Sequence, residues 1–441
     1  MTETTLALQR AALTNLGLMY ANGQGVPQDF AQALSCYQRA AQAGAAHAQS
    51  NLAVMYAHGQ GVEPDFVQAR NWYAQAADQG LAYAQCNLAA LYANGQGGEV
   101  DYARALHWYS AAAAQGDTTA QLNLGVMYAN GQGVAQDFAR ALTCYQSGAA
   151  NGDPAAQYGL GVMYANGHGV ERNAAQAQHW YTQAAEQGHV HAQFNLGFMF
   201  SSGQGASLNP ALGLHWYERA ARAGDPAAQY NLGVMYSLGQ GVPKDTAQAL
   251  QWYTAAAQQG DAAAQYNLGL MYSLGQDVEQ DDATALAWYQ LAADQGDALA
   301  QYSLGVMIAN GQGTIASDEV AMQWLQLAAD QGEAQAQYDL GAMHQTGKVP
   351  NFVQALACYR LAAAQGHPQA QAALGWLYAH GEGVLQDFVR AHMWFNLGSV
   401  GGLADAASGR DHVAQQMTPT QIAQAQDMAR ACQKNNFKDL D

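Results

Sequence analysis

Apolar residues recur along the chain as helical stripes, and the whole pattern returns every 36 residues. The copy from 117 to 152 shows two such stripes. The first contains residues spaced 4, 3 and 1 apart, which share one face of an α-helix: Ala120, Leu124, Met127 and Tyr128. The second has the same amphipathic character: Ala141, Cys144, Tyr145 and Ala149. The pattern therefore predicts two helices in every copy, with Leu124 and Tyr128 buried between helices.

Glycine and polar residues mark where these helices begin and end. Asn130-Gly131 ends the first helix, because glycine readily takes the positive φ that closes a last turn. Gly125 has no side chain, so another helix can approach the first helix closely there. A residue able to cap a helix precedes the second helix in each copy: Asp29, Asp65, Asp101, Asp137, Asn173, Asn209, Asp245, Asp281, Ser317, Asn351 and Asp387. Glutamine stands three residues later in several copies, which predicts capping boxes: Gln32, Gln68, Gln176, Gln248 and Gln354.

The copies follow one another without a linker. A closing glycine keeps them in register: Gly44, Gly80, Gly116, Gly152, Gly188, Gly224, Gly260, Gly296, Gly332, Gly366 and Gly402. One helix pair is too small to bury its own apolar faces, but stacked pairs share a continuous core. The sequence therefore predicts an all-α solenoid of eleven helix–turn–helix repeats over residues 1–402.

The pattern changes after residue 402. Residues 403–432 contain a further helix pair, whose last helix is predicted to begin with Thr418 as the cap and Pro419 in the first turn. Because the exposed end of a solenoid needs an atypical cover, we expect this pair to be a C-terminal cap. Residues 433–441 form a polar tail.

Composition excludes several classes of function. The chain has 34 Asp and Glu but only 16 Lys and Arg, which gives a net charge of −18. Nucleic-acid binding needs basic residues that contact the phosphates, so this composition argues against it. No apolar run of about 18 residues predicts membrane insertion. Residues 1–22 lack the basic start and cleavage site of a secretory signal, so the expected location is cytoplasmic. The alternative is a periplasmic or secreted protein whose signal peptide has been removed.

The repeat unit resembles the Sel1-like repeat, a relative of the tetratricopeptide repeat. The shared pattern is A-x-A-Q-x-N-L-G-x-M-Y-x-x-G-x-G-V-x-x-D-x-x-x-A-x-x-W-Y-x-x-A-A-x-x-G, from Leu13 to about Cys432, and RDHVAQQMTPTQIAQAQDMA resembles the closing helices of bacterial members. The resemblance implies a right-handed superhelix of α-hairpins with the first helices on the concave face. Members generally act as adaptors that hold other proteins.

No motif for catalysis, a metal or a cofactor accompanies the repeats. Some family members are linked to β-lactam chemistry, but S-x-x-K is absent, since none of the four lysines follows a serine by three residues. Four histidines lie near one repeat junction without zinc-ligand spacing: His168, His179, His189 and His191. No copy has a cysteine in each helix, so free thiols are expected throughout: Cys36, Cys86, Cys144, Cys358 and Cys432. We therefore predict no enzyme, no cofactor and no metal site.

A glutamine occupies one first-helix register in ten copies. Its amide can satisfy backbone groups left over at a helix end, which favours a structural role. The residues are Gln49, Gln85, Gln121, Gln157, Gln193, Gln229, Gln265, Gln301, Gln337 and Gln371.

A second stripe on the first helix, opposite the packed face, is the candidate binding surface. One of its registers holds six consecutive aromatic residues, here called the aromatic ladder: Tyr158, Phe194, Tyr230, Tyr266, Tyr302 and Tyr338. Asparagines occupy the end of the same stripe: Asn130, Asn166 and Asn310. Tyrosines with amides beside them suit the capture of an extended peptide. The alternative is that the ladder packs between neighbouring first helices.

These observations favour a non-enzymatic scaffold that binds a protein or peptide segment in its concave groove. Two alternatives remain open: an enzyme or enzyme subunit acting on cell-wall or β-lactam substrates, and a purely structural spacer. The sequence specifies neither the partner nor the oligomeric state.

Overall fold

The structure, a computed structural model, describes residues 3–275 and 278–435. All regular secondary structure in these residues is α-helical, and they contain 24 helices and no strand. The chain forms two compact units, Met1–Ala223 and Gly224–Asp441. The prediction of an all-α repeat solenoid is confirmed.

The first unit contains six helix pairs. Its helices are α1 Glu3–Asn22, α2 Phe30–Gln42, α3 Ala46–His58, α4 Phe66–Asp78, α5 Ala82–Ala93, α6 Tyr102–Ala114, α7 Thr118–Asn130, α8 Phe138–Ala150, α9 Pro154–Asn166, α10 Ala174–Glu186, α11 Val190–Ser202 and α12 Pro210–Arg222. Odd-numbered helices are the first helices of the repeats, and even-numbered helices are the second.

The second unit contains five more pairs and the final pair. Its helices are α13 Pro226–Leu238, α14 Thr246–Gln258, α15 Ala262–Leu274, α16 Asp282–Asp294, α17 Ala298–Asn310, α18 Asp318–Asp330, α19 Ala334–Thr346, α20 Phe352–Ala364, α21 Pro368–His380, α22 Phe388–Val400, α23 Ala404–Ala414 and α24 Pro419–Lys434.

In seven of the eleven repeats, a tyrosine of the second helix lies against a glycine of the first helix. An added Cβ on Gly197 would lie 2.5 Å from Cδ1 of Tyr217, and one on Gly233 would lie 2.5 Å from Cδ1 of Tyr253. The Tyr217 side chain is 1% exposed, so this ring fills the space that the glycine leaves. The close helix approach predicted at Gly125 is confirmed, since its added Cβ would lie 2.8 Å from the Tyr145 ring.

All eleven predicted second-helix caps are formed, because each side chain accepts a backbone N–H from the first turn. The predicted capping boxes are wrong at the five glutamines, since no reciprocal bond is recorded there in the described part of the chain. Thr418 and Gln421 do form the reciprocal box at the start of α24.

The buried glutamines join successive repeats. Nε2 of Gln265 donates to the carbonyl oxygen of Ala257 at 3.1 Å, at the end of the preceding helix pair. Oε1 of Gln265 accepts from Nε2 of Gln295 at 2.8 Å, at the end of its own second helix. Because the same pair of bonds recurs along the chain, the predicted structural role is confirmed.

Three of these glutamines lack the second bond. Asn151, Ala223 and Gly401 stand where other repeats have the donor glutamine. Correspondingly, Oε1 of Gln193 and Oε1 of Gln121 are buried without a hydrogen-bond partner.

The final helix pair covers the end of the last repeat. Trp394 and Phe395 of α22 are buried in one cluster with Val413 of α23 and Ala429 of α24.

One expectation of burial is wrong: Leu124 is buried, but Tyr128 is only half-buried, with the Arg140 guanidinium 5.5 Å from its ring centre. The boundary between 402 and 403 stays a prediction, and residues 436–441 of the polar tail lie outside the described residues.

The incomplete glutamine bridge yields a stability prediction. Ala223→Gln gives the orphaned Oε1 of Gln193 a donor, so the free energy of unfolding should rise by about 0.5–1.5 kcal/mol. The matched variant Gln295→Ala orphans Oε1 of Gln265 and should lower it by about 1–3 kcal/mol. Urea unfolding followed by circular dichroism checks both. An Ala223→Gln protein no more stable than the wild type would contradict the bridging role.

Candidate functional site

The candidate site is a face of the first helices that the second helices leave uncovered. On α9 this face carries Tyr158, Val162 and Asn166, which are four residues apart and therefore neighbours along the helix. We call the surface formed by these three registers the inner groove, and describe it separately in each unit.

The aromatic ladder is half-buried at all six positions, whereas the three predicted asparagines are exposed. Five ladder rings pack on an aromatic ring of their own second helix, with centroids 5.6–5.9 Å apart. Within the described part of each unit, no ring contact joins one ladder residue to the next. One side of each ring therefore packs against the core of its own repeat, and the rest of the ring faces the groove.

Two adjoining cavities open on the inner groove of the first unit. One, of about 510 Å³, lies between α7 and α9 and is lined by Val126, Asn130 and His168 among others. The other, of about 390 Å³, lies between α9 and α11 and is lined by residues that include Asn166 and Phe198. Tyr158 and Val162 line both cavities. The structure thus brings together three predicted residues, Tyr158, Asn130 and Asn166.

Val162 and Phe198 occupy a register that the sequence analysis did not select as a site. This register is the middle of the same stripe, four residues after the ladder. Phe198 is 44% exposed and Trp376, at the same register in the second unit, is 36% exposed. Phe198 and Trp376 are large aromatic residues at a register that mostly holds valine or alanine, and this contrast was the signal that could have identified it.

Tyr158 is held in place by histidine. The His189 ring stacks on the Tyr158 ring with centroids 4.6 Å apart. Nδ1 of His189 accepts the backbone N–H of Ala192 at 3.3 Å and so caps α11. Burial, reinforced by neighbouring His191, lowers the pKa of His189, which favours the neutral ring that this cap requires.

The ladder of the second unit meets carboxylates instead. The Tyr302 hydroxyl donates to Oδ2 of Asp339 at 3.0 Å, and Nε2 of Gln335 donates to Oδ1 of Asp339 at 3.2 Å. Burial, together with the Asp339 charge, raises the pKa of Tyr302 well above its usual value. Tyr338 stacks on His367 with centroids 5.1 Å apart.

Other groups that could carry chemistry are buried or dispersed. No disulfide joins any of the five cysteines, all of which lie in described residues. Burial raises the pKa of Cys86 to about 12, and it also raises the pKa values of Cys144 and Cys358. Residues 3–275 and 278–435 contain no cluster of three metal-ligating side chains. Nor do they include a helix both long and apolar enough to cross a membrane.

The repeats match the model of a known protein family. The Sel1 repeat model matches the chain eleven times, over residues 10–44, 46–81, 82–117, 118–153, 154–189, 190–225, 226–261, 262–297, 298–333, 334–367 and 368–399. The chain belongs to the Sel1 repeat family. Proteins built from Sel1 repeats typically take part in protein–protein interactions. No curated protein sequence matches the chain.

Two solved structures resemble this Sel1 repeat protein over most of its length. The protective antigen c5321 of uropathogenic Escherichia coli, described as displaying an SLR fold, is 32% identical, with a TM-score of 0.78. The match covers 100% of this chain and 96% of that one. A Sel1 repeat protein of Oxalobacter formigenes is 35% identical, with a TM-score of 0.55, over 70% of this chain and 90% of its own. The resolved repeat fold therefore agrees with that of its relatives.

The histidine cap yields a pH prediction. The pKa of His189 is lower in the folded protein, so the unfolded chain binds more protons and the cap's stability is lost as pH falls below about 6.5. His189→Asn keeps a capping side chain that does not titrate in this range. The variant should lose less stability than the wild type between about pH 7.5 and about pH 5. Equal losses in urea unfolding at the two pH values would contradict the role given to His189.

Proposed function

We propose that this Sel1 repeat protein is a non-enzymatic scaffold that holds an extended segment of a partner protein in its inner groove. The observation that carries the proposal is the pair of cavities that share Tyr158 and Val162. Each has a volume within the range of small-molecule pockets, about 300–1,000 Å³, and therefore accommodates a large side chain.

The lining of the two cavities suits side chains from one face of an extended segment. Alternate side chains of such a segment point the same way and lie about 7 Å apart. Val126, Val162 and Phe198 supply apolar surface along consecutive first helices. Tyr158, between the two cavities, presents the uncovered part of a ring that is held by Tyr181 and His189, with centroids 5.8 Å and 4.6 Å away. A ring held in this way loses little freedom on binding, which favours affinity.

Exposed amides at the rim supply the polar half of the recognition. Asn130 and Asn166 each line one cavity and are exposed. An amide both donates and accepts hydrogen bonds, so it can pair with a backbone N–H or C=O of the segment. The remaining predicted residues occupy the same groove registers in this proposal: Phe194 in the first unit, and Tyr230, Tyr266, Tyr302, Tyr338 and Asn310 in the second.

Blocking the groove tests the proposal. Val162→Trp places a bulky ring in the wall that the two cavities share, and Trp376 shows that its register accepts this side chain. The variant should recover fewer partner proteins from a lysate of its source cells, by about tenfold, because the ring obstructs both cavities. Tagged protein is used for capture, and mass spectrometry measures the yield.

The matched control is Val67→Trp, which changes a 53% exposed valine of the second helix α4 outside the groove. It should capture the same partners as the wild type, and both variants should keep the wild-type melting temperature. Unchanged capture by a folded Val162→Trp protein would place partner binding elsewhere and reject the proposal.

A further inference from the structure

The negative charge of this chain is concentrated in part of the second unit. Residues 224–347 contain fourteen Asp and Glu but only one basic residue, Lys244, which gives this stretch a net charge of −13 out of −18 for the whole chain. Residues 1–223 contain thirteen acidic and eight basic residues, a net charge of −5. The inner grooves of the two units therefore lie in different electrostatic surroundings.

Three of these carboxylates lie beside ladder tyrosines. Oδ2 of Asp339 accepts a hydrogen bond from the Tyr302 hydroxyl at 3.0 Å. Asp297 caps α17 at the register where His189 and His367 stack on the ladder ring of the preceding first helix. Together with Glu333 it reinforces the effect of burial in raising the pKa of Tyr266, which a hydrogen bond with Ser303 opposes. In the part of the chain that the structure describes, none of the three carboxylates forms a salt bridge. No basic side chain among the described residues therefore pairs with them, although Asp297 and Glu333 also cap α17 and α19.

The surrounding polar groups leave this surface negative. Nε2 of His367 lies 2.9 Å from Oε1 of Gln335, which itself contacts Asp339. Burial lowers the pKa of His367, despite the opposing effect of the nearby carboxylates, so its ring adds no positive charge at neutral pH. In the first unit, by contrast, Arg172 lines the cavity beside Tyr158.

A half-buried tyrosine face next to a carboxylate is a favourable site for a cationic side chain. The face of the ring attracts a guanidinium or ammonium group, and the carboxylate pairs with its N–H donors. Two such positions, Tyr266 and Tyr302 in neighbouring repeats, also attract a basic chain from a distance and raise its association rate. Apolar or acidic segments gain nothing from this arrangement.

We infer that the inner groove of the second unit binds a basic segment of a partner protein, with arginine or lysine side chains against Tyr266 and Tyr302. This inference rests on the proposed function and adds the chemistry of the partner. Asp297, Glu333 and Asp339 select the segment by charge, and the ladder rings hold the alkyl and guanidinium parts of its side chains.

Defined peptides test the inference on the full-length protein. A short labelled peptide of alternating arginine and alanine is compared with a peptide in which neutral citrulline replaces each arginine. Citrulline has nearly the shape of arginine, so the comparison isolates the charge. Fluorescence anisotropy should give about tenfold weaker binding for the citrulline peptide, and the difference should shrink as salt rises from about 50 mM to about 300 mM.

Charge-removing variants locate the binding. Asp297→Asn, Glu333→Gln and Asp339→Asn together remove three charges while keeping polar caps and an acceptor for Tyr302. The matched control changes three exposed carboxylates of second helices instead, Asp294→Asn, Asp318→Asn and Glu319→Gln. The groove variant should bind the arginine peptide about tenfold more weakly, and the control should bind within about twofold of the wild type.

A blocking variant separates this inference from the proposed function. Val306, four residues after Tyr302 on α17, has the register of Val162. Val306→Trp should abolish binding of the arginine peptide, whereas Val162→Trp should leave it intact. If both peptides bind equally and Val306→Trp blocks both, charge selection is wrong although the groove still binds segments.

Two further results would overturn the inference, because they would show that the peptide does not bind at the proposed site. If the control variant loses as much affinity as the groove variant, the peptide responds only to overall charge. If the wild type does not bind the arginine peptide, the second unit has no basic-segment site. Neither result decides the proposed function, which the capture experiment with Val162→Trp tests in the first unit.

Discussion

The contact between a first-helix glycine and a second-helix tyrosine determines the geometry of most repeats. With a Cβ on Gly233, the Tyr253 ring would have to move, because the two atoms would be only 2.5 Å apart. The same ring packs against ladder residue Tyr230, with centroids 5.9 Å apart. The core contact thus fixes where the groove ring stands, so the binding surface follows from the packing of the repeat.

Polar side chains complete the repeats in ways that leave the groove free. Asp281 and its counterparts cap second helices, and Gln265 and its counterparts join one repeat to the next. Because these bonds recur at fixed registers, the repeats tolerate variation elsewhere. That variation includes histidine beside Tyr158 and aspartate beside Tyr302, which give two similar grooves different chemistry.

The regular features could be predicted from sequence because each depends on local physics repeated many times. The caps at eleven registers, the close approach at Gly125 and the structural glutamines follow from residue type and position alone. The cavities beside Val162 could not, because they depend on how far neighbouring first helices stand apart. The pairing of Tyr302 with Asp339 links residues of different repeats, so it too required coordinates. Tyr128 is only half-buried and has Arg140 over its ring. The periodicity of the sequence does not indicate this arrangement.

Site-specific photocross-linking tests most directly whether the partner lies in the inner groove. A photoreactive phenylalanine analogue is placed at the groove residues Asn166 and Asn310, and at the exposed second-helix residues His179 and Ala287. After irradiation in cells, we expect partner cross-links from both groove positions and none from the two second-helix positions. Cross-links to the same partner from His179 or Ala287, with none from the groove, would contradict it.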